Sequence, residues 1–116
     1  MPEASSSFAE VRFIDRDQVI RDLRKAVAGA KERYPEILKV YLFGSLMQGT
    51  WTADSDADLI VVVRKELREF SETCRYQIYT ESIPTDSLVY PETEFERLRK
   101  DPSSFVNQNL EGAMEL

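Results

Sequence analysis

The chain has 116 residues, no histidine and a single cysteine, and its 21 acidic residues outnumber 15 basic ones, giving a formal net charge of −6. This length suits one domain, and the absence of histidine excludes Ser-His and Cys-His nucleophile pairs and His-ligated zinc within the chain. Cys74 has no partner for an internal disulfide and is expected to be a small buried apolar residue. The acidic balance argues against nucleic-acid binding, which depends on phosphate neutralisation by Lys and Arg.

The chain carries no sign of a membrane segment or a leader. No apolar run approaches the roughly 20 residues of a membrane span. The first residues, MPEASSSFAE, lack the basic and then apolar order of a signal peptide. We therefore expect a cytoplasmic protein without membrane contacts, in which residues 1–14 form a partly frayed N-terminal extension and residues 15–116 form a single domain.

The first half of the domain is predicted to contain a helix and a strand. Asp15 is a good N-cap, and apolar residues between positions 19 and 30 recur at helical spacing, which predicts a long amphipathic helix closed by Pro35. The β-branched and aromatic run over 37–43 predicts a strand that enters a tight turn. Residues 45–50 are expected to add one helical turn.

The second half is predicted to continue as an α/β domain. The almost uninterrupted apolar run over 57–63 is typical of a strand covered on both faces of a sheet. Residues 66–79 are less decided but fit a helix, residues 83–90 a third strand, and the stretch after Pro91 another helix. The tail is expected to add one more helix and a short strand. The stripe proposed for the helix over 66–79 consists of Leu67, Phe70, Cys74 and Ile78.

Two aspartates, Asp56 and Asp58, open the apolar strand. Positions i and i+2 of a strand project from the same face, roughly 6.5–7 Å apart. Two carboxylates about 5 Å apart repel by about 3 kcal/mol at an effective dielectric near 20, which a fold tolerates readily only with a cation between them. Hard oxygen ligands suit Mg²⁺, so the pair predicts a magnesium site.

Gly44 and Ser45 precede this pair by a ten-residue spacer and follow the first strand directly. Glycine permits a sharp turn, and the following N–H groups and the Ser45 hydroxyl can donate to phosphate oxygens. Asp86 is an isolated acid in an otherwise apolar strand. If that strand lies beside the one with Asp58, the three carboxylates can hold metal for in-line attack on a nucleotide α-phosphate.

Each feature also has a purely structural interpretation. A Gly-Ser pair is a common turn, an Asp-x-Asp pair is often a solvated loop end or a helix cap, and a lone strand aspartate can simply face solvent. Trp51 either packs on the domain or stacks on a base, and Ser55 is expected to orient the loop. The combination in this order favours the functional interpretation.

The stretch GSLMQGTWTADSDADLIV resembles the signature of the minimal nucleotidyltransferases within the DNA polymerase β superfamily. That signature has Gly-Ser, a spacer, Asp-x-Asp and a later single aspartate on a neighbouring strand. Gly44, Ser45, Asp56 and Asp58 fall on it, and Asp86 in TDSLVY matches the later aspartate. The tail NLEGAMEL also resembles the closing segment of that family, so the resemblance covers about residues 15–116.

The resemblance implies a nucleotidyltransferase-like fold with a small mixed sheet flanked by helices. It implies transfer of a nucleoside monophosphate, usually AMP from ATP, onto a hydroxyl, with Asp56 and Asp58 holding Mg²⁺ and Asp86 joining them and helping to activate the acceptor oxygen. Minimal members are often paired with a helical HEPN-domain ribonuclease as antitoxin and toxin. The implied acceptor is therefore a hydroxyl on a partner protein, with self-association left open.

The sequence departs from the family pattern at Gln48, where members commonly carry arginine. Loss of that cation removes a charge-assisted phosphate contact, typically worth about 1.5–3 kcal/mol. This departure motivates an alternative function, a catalytically weak or inactive module that neutralises its partner by contact alone. A third interpretation is an unrelated α/β domain in which the three aspartates point apart.

Overall fold

The computed structural model describes residues 15–49, 51–52 and 54–116. The predicted extension over residues 1–14 lies outside the described residues. The elements run in the order α1 (Arg16–Arg33), β1 (Ile37–Phe43), α2 (Ser45–Gln48), β2 (Ala57–Val63), α3 (Phe70–Arg75), β3 (Thr85–Pro91), α4 (Glu92–Arg99), α5 (Phe105–Leu110) and β4 (Met114–Glu115).

The strands form one four-stranded sheet in the order β3-β2-β1-β4. β2 pairs with β1 in antiparallel and with β3 in parallel orientation, and β4 pairs with β1 in antiparallel orientation. The sheet is therefore mixed and flanked by helices, which confirms the predicted fold class. The apolar run of β2 is central because both of its edges are paired and both of its faces are covered.

One face of the sheet packs against α1. Asp15 begins this helix by accepting hydrogen bonds from the backbone N–H groups of Asp17 and Gln18, as its N-cap position predicts. The apolar stripe of the helix faces the odd-numbered residues of β2 and part of β1. The buried residues of this layer are Val19, Ile20, Leu23, Val27, Ala30, Ile37, Val40, Leu42, Leu46, Ala57, Leu59, Val61, Val63, Tyr76, Ile78 and Ile83.

The opposite face packs against α4 and α5. Ile60 and Val62 of β2 meet Phe95 of α4 and Val106 of α5 there, together with Phe43 at the end of β1. Because successive side chains of a strand alternate between faces, Asp58 projects from the same face as Ile60. This second, smaller core thus lies directly beside the predicted carboxylate site.

The prediction for residues 66–79 is wrong in two respects. The helix, α3, has only six residues, and Phe70 and Cys74 are exposed, with 82% of Phe70 accessible to solvent. The predicted stripe is therefore divided, because Leu67 packs partly buried against the core on the α1 side and Ile78 is buried, whereas the two stripe residues within α3 face solvent. The segment instead buries Tyr76 and Ile78 after the helix has ended.

The outer edge of β3 is covered by side chains. The Ile78 N–H donates to Ser87 Oγ at 3.1 Å, Gln77 Nε2 donates to the Ser87 carbonyl at 3.1 Å, and the Thr85 hydroxyl donates to the Ile78 carbonyl. Ser87 is buried, so these bonds satisfy polar groups that would otherwise be costly. The segment that follows α3 therefore closes this edge without adding a strand.

Among the residues that the structure describes, no helix is both long and apolar enough to cross a membrane.

Candidate active site

The Gly-Ser turn connects β1 to α2. Gly44 has φ +85° and ψ −152°, a backbone conformation that is essentially restricted to glycine. Its carbonyl accepts hydrogen bonds from the N–H groups of Met47 and Gln48, at 3.0 and 3.1 Å. The first N–H groups of α2, those of Ser45 and Leu46, have no intrahelical acceptor by the geometry of a helix start. These two N–H groups are the hydrogen-bond donors that the sequence analysis expects to bind phosphate oxygens.

A second glycine, Gly49, ends the helical turn. It has φ +79° and ψ 10°, the left-handed conformation typical of a helix C-cap, and its N–H donates to the Ser45 carbonyl. Leu46 is fully buried and anchors the turn to the core. The single turn between Gly44 and Gly49 confirms the short helix that the sequence predicts, and two glycines at fixed spacing define it.

Gly44 lies directly against the carboxylate of Asp58. A Cβ built on Gly44 would overlap Asp58 Oδ2 and would come within 3.2 Å of Asp58 Cγ. Asp58 is also the residue opposite Phe43 in the pairing of β1 with β2. The glycine at the turn is therefore required twice, once by its dihedral angles and once by the carboxylate beside it.

Asp86 lies beside Asp58 in the sheet. The parallel register of β2 and β3 pairs these two residues, so both side chains project from the face that carries the smaller core. Burial raises the pKa of Asp58 above its ordinary value, and the charges of Asp86 and Asp56 raise it further. All three aspartates thus share one electrostatic environment, although their role as metal ligands remains a prediction.

The three carboxylates do not form a complete metal-binding site in this structure. Within residues 15–49, 51–52 and 54–116, no set of three or more acidic or cysteine side chains is arranged to hold one cation. Asp56 and Asp86 are exposed, so their side chains can rotate, whereas Asp58 is partly buried against Gly44. The donors are all hard oxygens of the kind that Mg²⁺ prefers, so the residues present fit that ion by chemistry.

The loop before β2 is ordered by its own polar groups. The Thr52 N–H donates to Ser55 Oγ at 2.7 Å, and the Ser55 N–H donates to the Thr52 carbonyl at 3.0 Å. This confirms the predicted role of Ser55 in orienting the turn. Trp51 packs, partly buried, against the core layer on the α1 side, which favours the packing interpretation over base stacking.

Arg16, at the start of α1, is a cation beside the turn that the sequence interpretation missed. Its Nε donates to the Leu46 carbonyl at 2.8 Å, and its Nη2 lies 3.6 Å from Met47 Sδ. Arg16 is 30 residues from Leu46 and 31 residues from Met47 in the chain, so no local sequence pattern reveals these contacts. The guanidinium holds α2 against α1 and brings positive charge to the turn.

A small pocket of about 80 Å³ opens between α2 and the C-terminal segment. Among the described residues that line it there is neither lysine nor arginine. Beside it, the rings of Phe43 and Phe105 meet edge to face with centroids 5.7 Å apart, and Phe105 remains half exposed. Most of the C-terminal members of this lining belong to the tail NLEGAMEL, which the sequence analysis noted only as a family resemblance and not as part of the site. The lining residues are Phe43, Gly44, Met47, Gln48, Gln108, Asn109, Glu111, Gly112 and Ala113.

The geometry of the turn and of the paired aspartates agrees with a comparison against known families. A family model described as "Nucleotidyltransferase domain" matches residues 23–111, which include both the Gly-Ser turn and the three aspartates. The chain belongs to the nucleotidyltransferase domain family. Membership supports a transferase of the nucleotidyl type.

A solved structure of the same kind supports this family. The chain is similar to a candidate nucleotidyltransferase from Sulfolobus solfataricus, with 27% sequence identity and a TM-score of 0.52 over 67% of this chain and 74% of that one. No curated protein sequence matches significantly. The family and the fold of this nucleotidyltransferase domain are thus established.

Proposed function

We propose that this nucleotidyltransferase domain transfers a nucleoside monophosphate, AMP from ATP, onto a hydroxyl of a partner protein. The observation that carries the proposal is the pairing of Asp58 with Asp86 on one sheet face, directly beside the Gly44 turn. In a chain of this family, that arrangement combines a carboxylate site with a turn suited to phosphates.

The roles of the side chains follow from their surroundings. Asp56, Asp58 and Asp86 would hold Mg²⁺, which neutralises phosphate charge when bound. Ser45 would donate from its hydroxyl to a phosphate oxygen. Burial, and after it the charges of Asp86 and Asp56, raise the pKa of Asp58, and a cation at this place would favour the ionised carboxylate against both effects.

The transfer step is a substitution at the α-phosphorus. The acceptor oxygen forms a bond to that phosphorus while the bond to the β-phosphate oxygen breaks, and pyrophosphate leaves with the electron pair. The proton of the acceptor hydroxyl passes to the carboxylate of Asp86, which is exposed and therefore accessible to an incoming protein. Solvent then takes up that proton.

The partner that we propose is a helical HEPN-domain toxin, with this chain as its antitoxin. Support comes from the resemblance of the motif to minimal nucleotidyltransferases and from the exposure of Asp56 and Asp86, which leaves the carboxylate site open to a macromolecular acceptor. The acidic net charge suits a basic protein surface.

The test is a labelling experiment with the purified protein, Mg²⁺, ATP labelled at the α-phosphate and, as acceptor, the HEPN-domain protein that we propose as its partner. We expect label on the partner with the unchanged chain and none with Asp56→Asn combined with Asp58→Asn. Asp54→Asn is the matched control, because Asp54 is an exposed aspartate of the same loop that no step requires. Labelling that survives the double substitution would contradict the metal assignment.

A second candidate function is a binding module that keeps the fold and neutralises its partner by contact alone. It is favoured by the lack of lysine and arginine among the described residues of the pocket lining, and by Gln48, which is exposed where the family commonly carries arginine. Calorimetry with ATP and Mg²⁺ separates the two candidates. No binding at millimolar nucleotide, with the partner still neutralised by the Asp56→Asn and Asp58→Asn variant, would establish the contact function.

A further inference from the structure

We infer that the chain also adenylylates itself, with the hydroxyl of Tyr79 as an acceptor beside its own carboxylate site. The inference rests on the proposed function, because it uses the same transfer of AMP from ATP and names a second acceptor for it. It depends on three observations about Tyr79: where the backbone places it, which side its side chain faces, and how free that side chain is.

The backbone next to Tyr79 is bonded to β3 on both sides of Asp86. The Ile78 N–H donates to Ser87 Oγ at 3.1 Å, and the Ile78 carbonyl accepts from the Thr85 hydroxyl. Because those two hydroxyl residues flank Asp86 in the strand, the bonds hold Ile78 alongside it. Tyr79 is the next residue, so it lies at the end of the sheet that carries the aspartates.

The side chain of Tyr79 faces away from α1. Ile78 is buried in the core layer under α1, and Thr80 lines a shallow groove together with Ala26 of that helix. Alternate residues of an extended segment face one side, so Tyr79, which lies between these two, faces the other. Asp86 projects from that same side of the sheet, the side opposite α1. The phenol and the carboxylate therefore share one face.

Tyr79 carries the available hydroxyl group of this segment. The residue is 73% exposed, and its hydroxyl has no hydrogen-bond partner among the residues that the structure describes. It belongs to no helix or strand, so its side chain can rotate without disturbing the core. The other hydroxyl groups between positions 76 and 87 each make a hydrogen bond, and they belong to Tyr76, Thr80, Ser82, Thr85 and Ser87.

The self-transfer is the same substitution at the α-phosphorus. Tyr79 Oη forms a bond to the α-phosphorus of ATP while the bond from that phosphorus to the β-phosphate oxygen breaks, and pyrophosphate leaves with the electron pair. The phenolic proton passes to the carboxylate of Asp86 and then to solvent. The product carries AMP on Tyr79 as a phosphodiester. Because acceptor and site belong to one chain, the step needs no second protein.

The test is mass spectrometry of the intact and the fragmented full chain after incubation with Mg²⁺ and ATP in the absence of any other protein. We expect a mass increase of one adenylyl group, located on Tyr79, and no increase for Tyr79→Phe or for Asp56→Asn combined with Asp58→Asn. Tyr41→Phe is the matched control, because the ring of Tyr41 stacks on Phe95 with centroids 5.8 Å apart, and this variant should be modified like the unchanged chain.

A mixing experiment distinguishes transfer within one chain from transfer between chains. An isotope-labelled chain with Asp58→Asn, which keeps Tyr79, is incubated with the unchanged chain and ATP. We expect AMP only on the unchanged chain, and AMP on the labelled chain would overturn the inference of transfer within one chain. Modification at another residue, or no modification of a chain that binds ATP in calorimetry, would overturn the inference alone. Failure of ATP to bind in Mg²⁺ would overturn the proposed function, and the inference with it.

Discussion

The Cα of Gly44 faces the carboxylate of Asp58 so closely that no side chain fits between them. Gly44→Ala should therefore lower the free energy of unfolding by at least about 2 kcal/mol, because the positive φ and the overlap both oppose the methyl group. It should also abolish nucleotidyl transfer. Gly49→Ala is the matched control, since its φ is similar but nothing lies within 4 Å of the added Cβ, and we expect a loss of about 1 kcal/mol.

A double-mutant cycle isolates the contact from the backbone strain. If the overlap contributes, Gly44→Ala should cost less in an Asp58→Ala background than in the unchanged chain. Urea titration of the four proteins measures the difference. Strict additivity would show that the dihedral angle alone explains the requirement for glycine.

Asp58→Asn should stabilise the protein while removing its activity. Because burial and two neighbouring charges raise the pKa of Asp58, its ionised form destabilises the folded state once the pH has risen above the folded pKa. The variant should therefore gain stability at pH 7, with a rise in Tm of up to about 4 °C, and gain little near pH 3, where the carboxyl is protonated in both states. Thermal unfolding of both proteins at the two pH values tests whether the change in Tm is positive at pH 7 and small near pH 3.

Magnesium should reverse the order of stability at neutral pH. A ligand that binds only the folded state stabilises it by RT ln(1 + [L]/Kd), so the gain rises with the logarithm of the ligand concentration above the dissociation constant. Added MgCl₂ with ATP should therefore raise the Tm of the unchanged chain and leave that of Asp58→Asn nearly constant. An equal response of both proteins would argue against Asp58 as a ligand.

Arg16 should position the turn that carries Ser45. Replacing Arg16 with methionine removes the hydrogen bond to the Leu46 carbonyl, so the KM for the nucleotide should rise severalfold with a smaller change in kcat. The matched control is Arg21→Met, at an exposed position of the same helix. If both variants raise KM equally, a general charge effect rather than the contact at α2 is responsible.

Tyr76 and Glu36 should set the alkaline limit of stability. The Tyr76 hydroxyl donates to Glu36 Oε2 at 2.6 Å, and burial followed by this bond raises the pKa of Tyr76 to about 12. The raised pKa gives stability that is fully present below pH 10 and is lost as the pH rises towards 12. Tyr76→Phe should cost about 1 kcal/mol at pH 8 and remove the steep loss above pH 10, which urea titration across this range would show.

Cys74 should react with a thiol reagent in the native protein. It is exposed on α3 rather than buried, so the folded chain should react at a rate within about tenfold of that in denaturant. The measurement is absorbance after addition of an aromatic disulfide, with Cys74→Ser as the blank. Protection of the native thiol would contradict the exposed position.

The sequence predicted the elements that have strong local signals. The uninterrupted apolar run identified β2, and the N-cap at Asp15 identified the start of α1. Both were predictable because helix capping and strand burial each require particular residue types within a few neighbouring positions. The prediction over 66–79 was wrong, since whether an apolar stripe is buried depends on what already covers the sheet. Phe70 shows this, because its spacing is helical but its side chain faces solvent.

The residue types of the candidate site could be predicted from the sequence, but the strand register that brings them together could not. The Asp-x-Asp spacing and the isolated Asp86 identify candidates, but their pairing depends on a parallel crossover from β2 to β3 that no local pattern encodes. Arg16 and Asn109 lie far along the chain from the turn, so their proximity to it also arises only from the fold. Such contacts are set by the packing of α1 and α5.

The polar cover on the outer edge of β3 limits how this sheet can grow. A foreign strand approaching that side would have to displace the bonds that Ser87 makes with Gln77 and Ile78 before its own backbone could pair. Such a protected margin discourages amyloid-like stacking and sheet extension between neighbouring copies. Any protein that the chain captures is therefore expected to be recognised through side chains rather than by strand addition along β3.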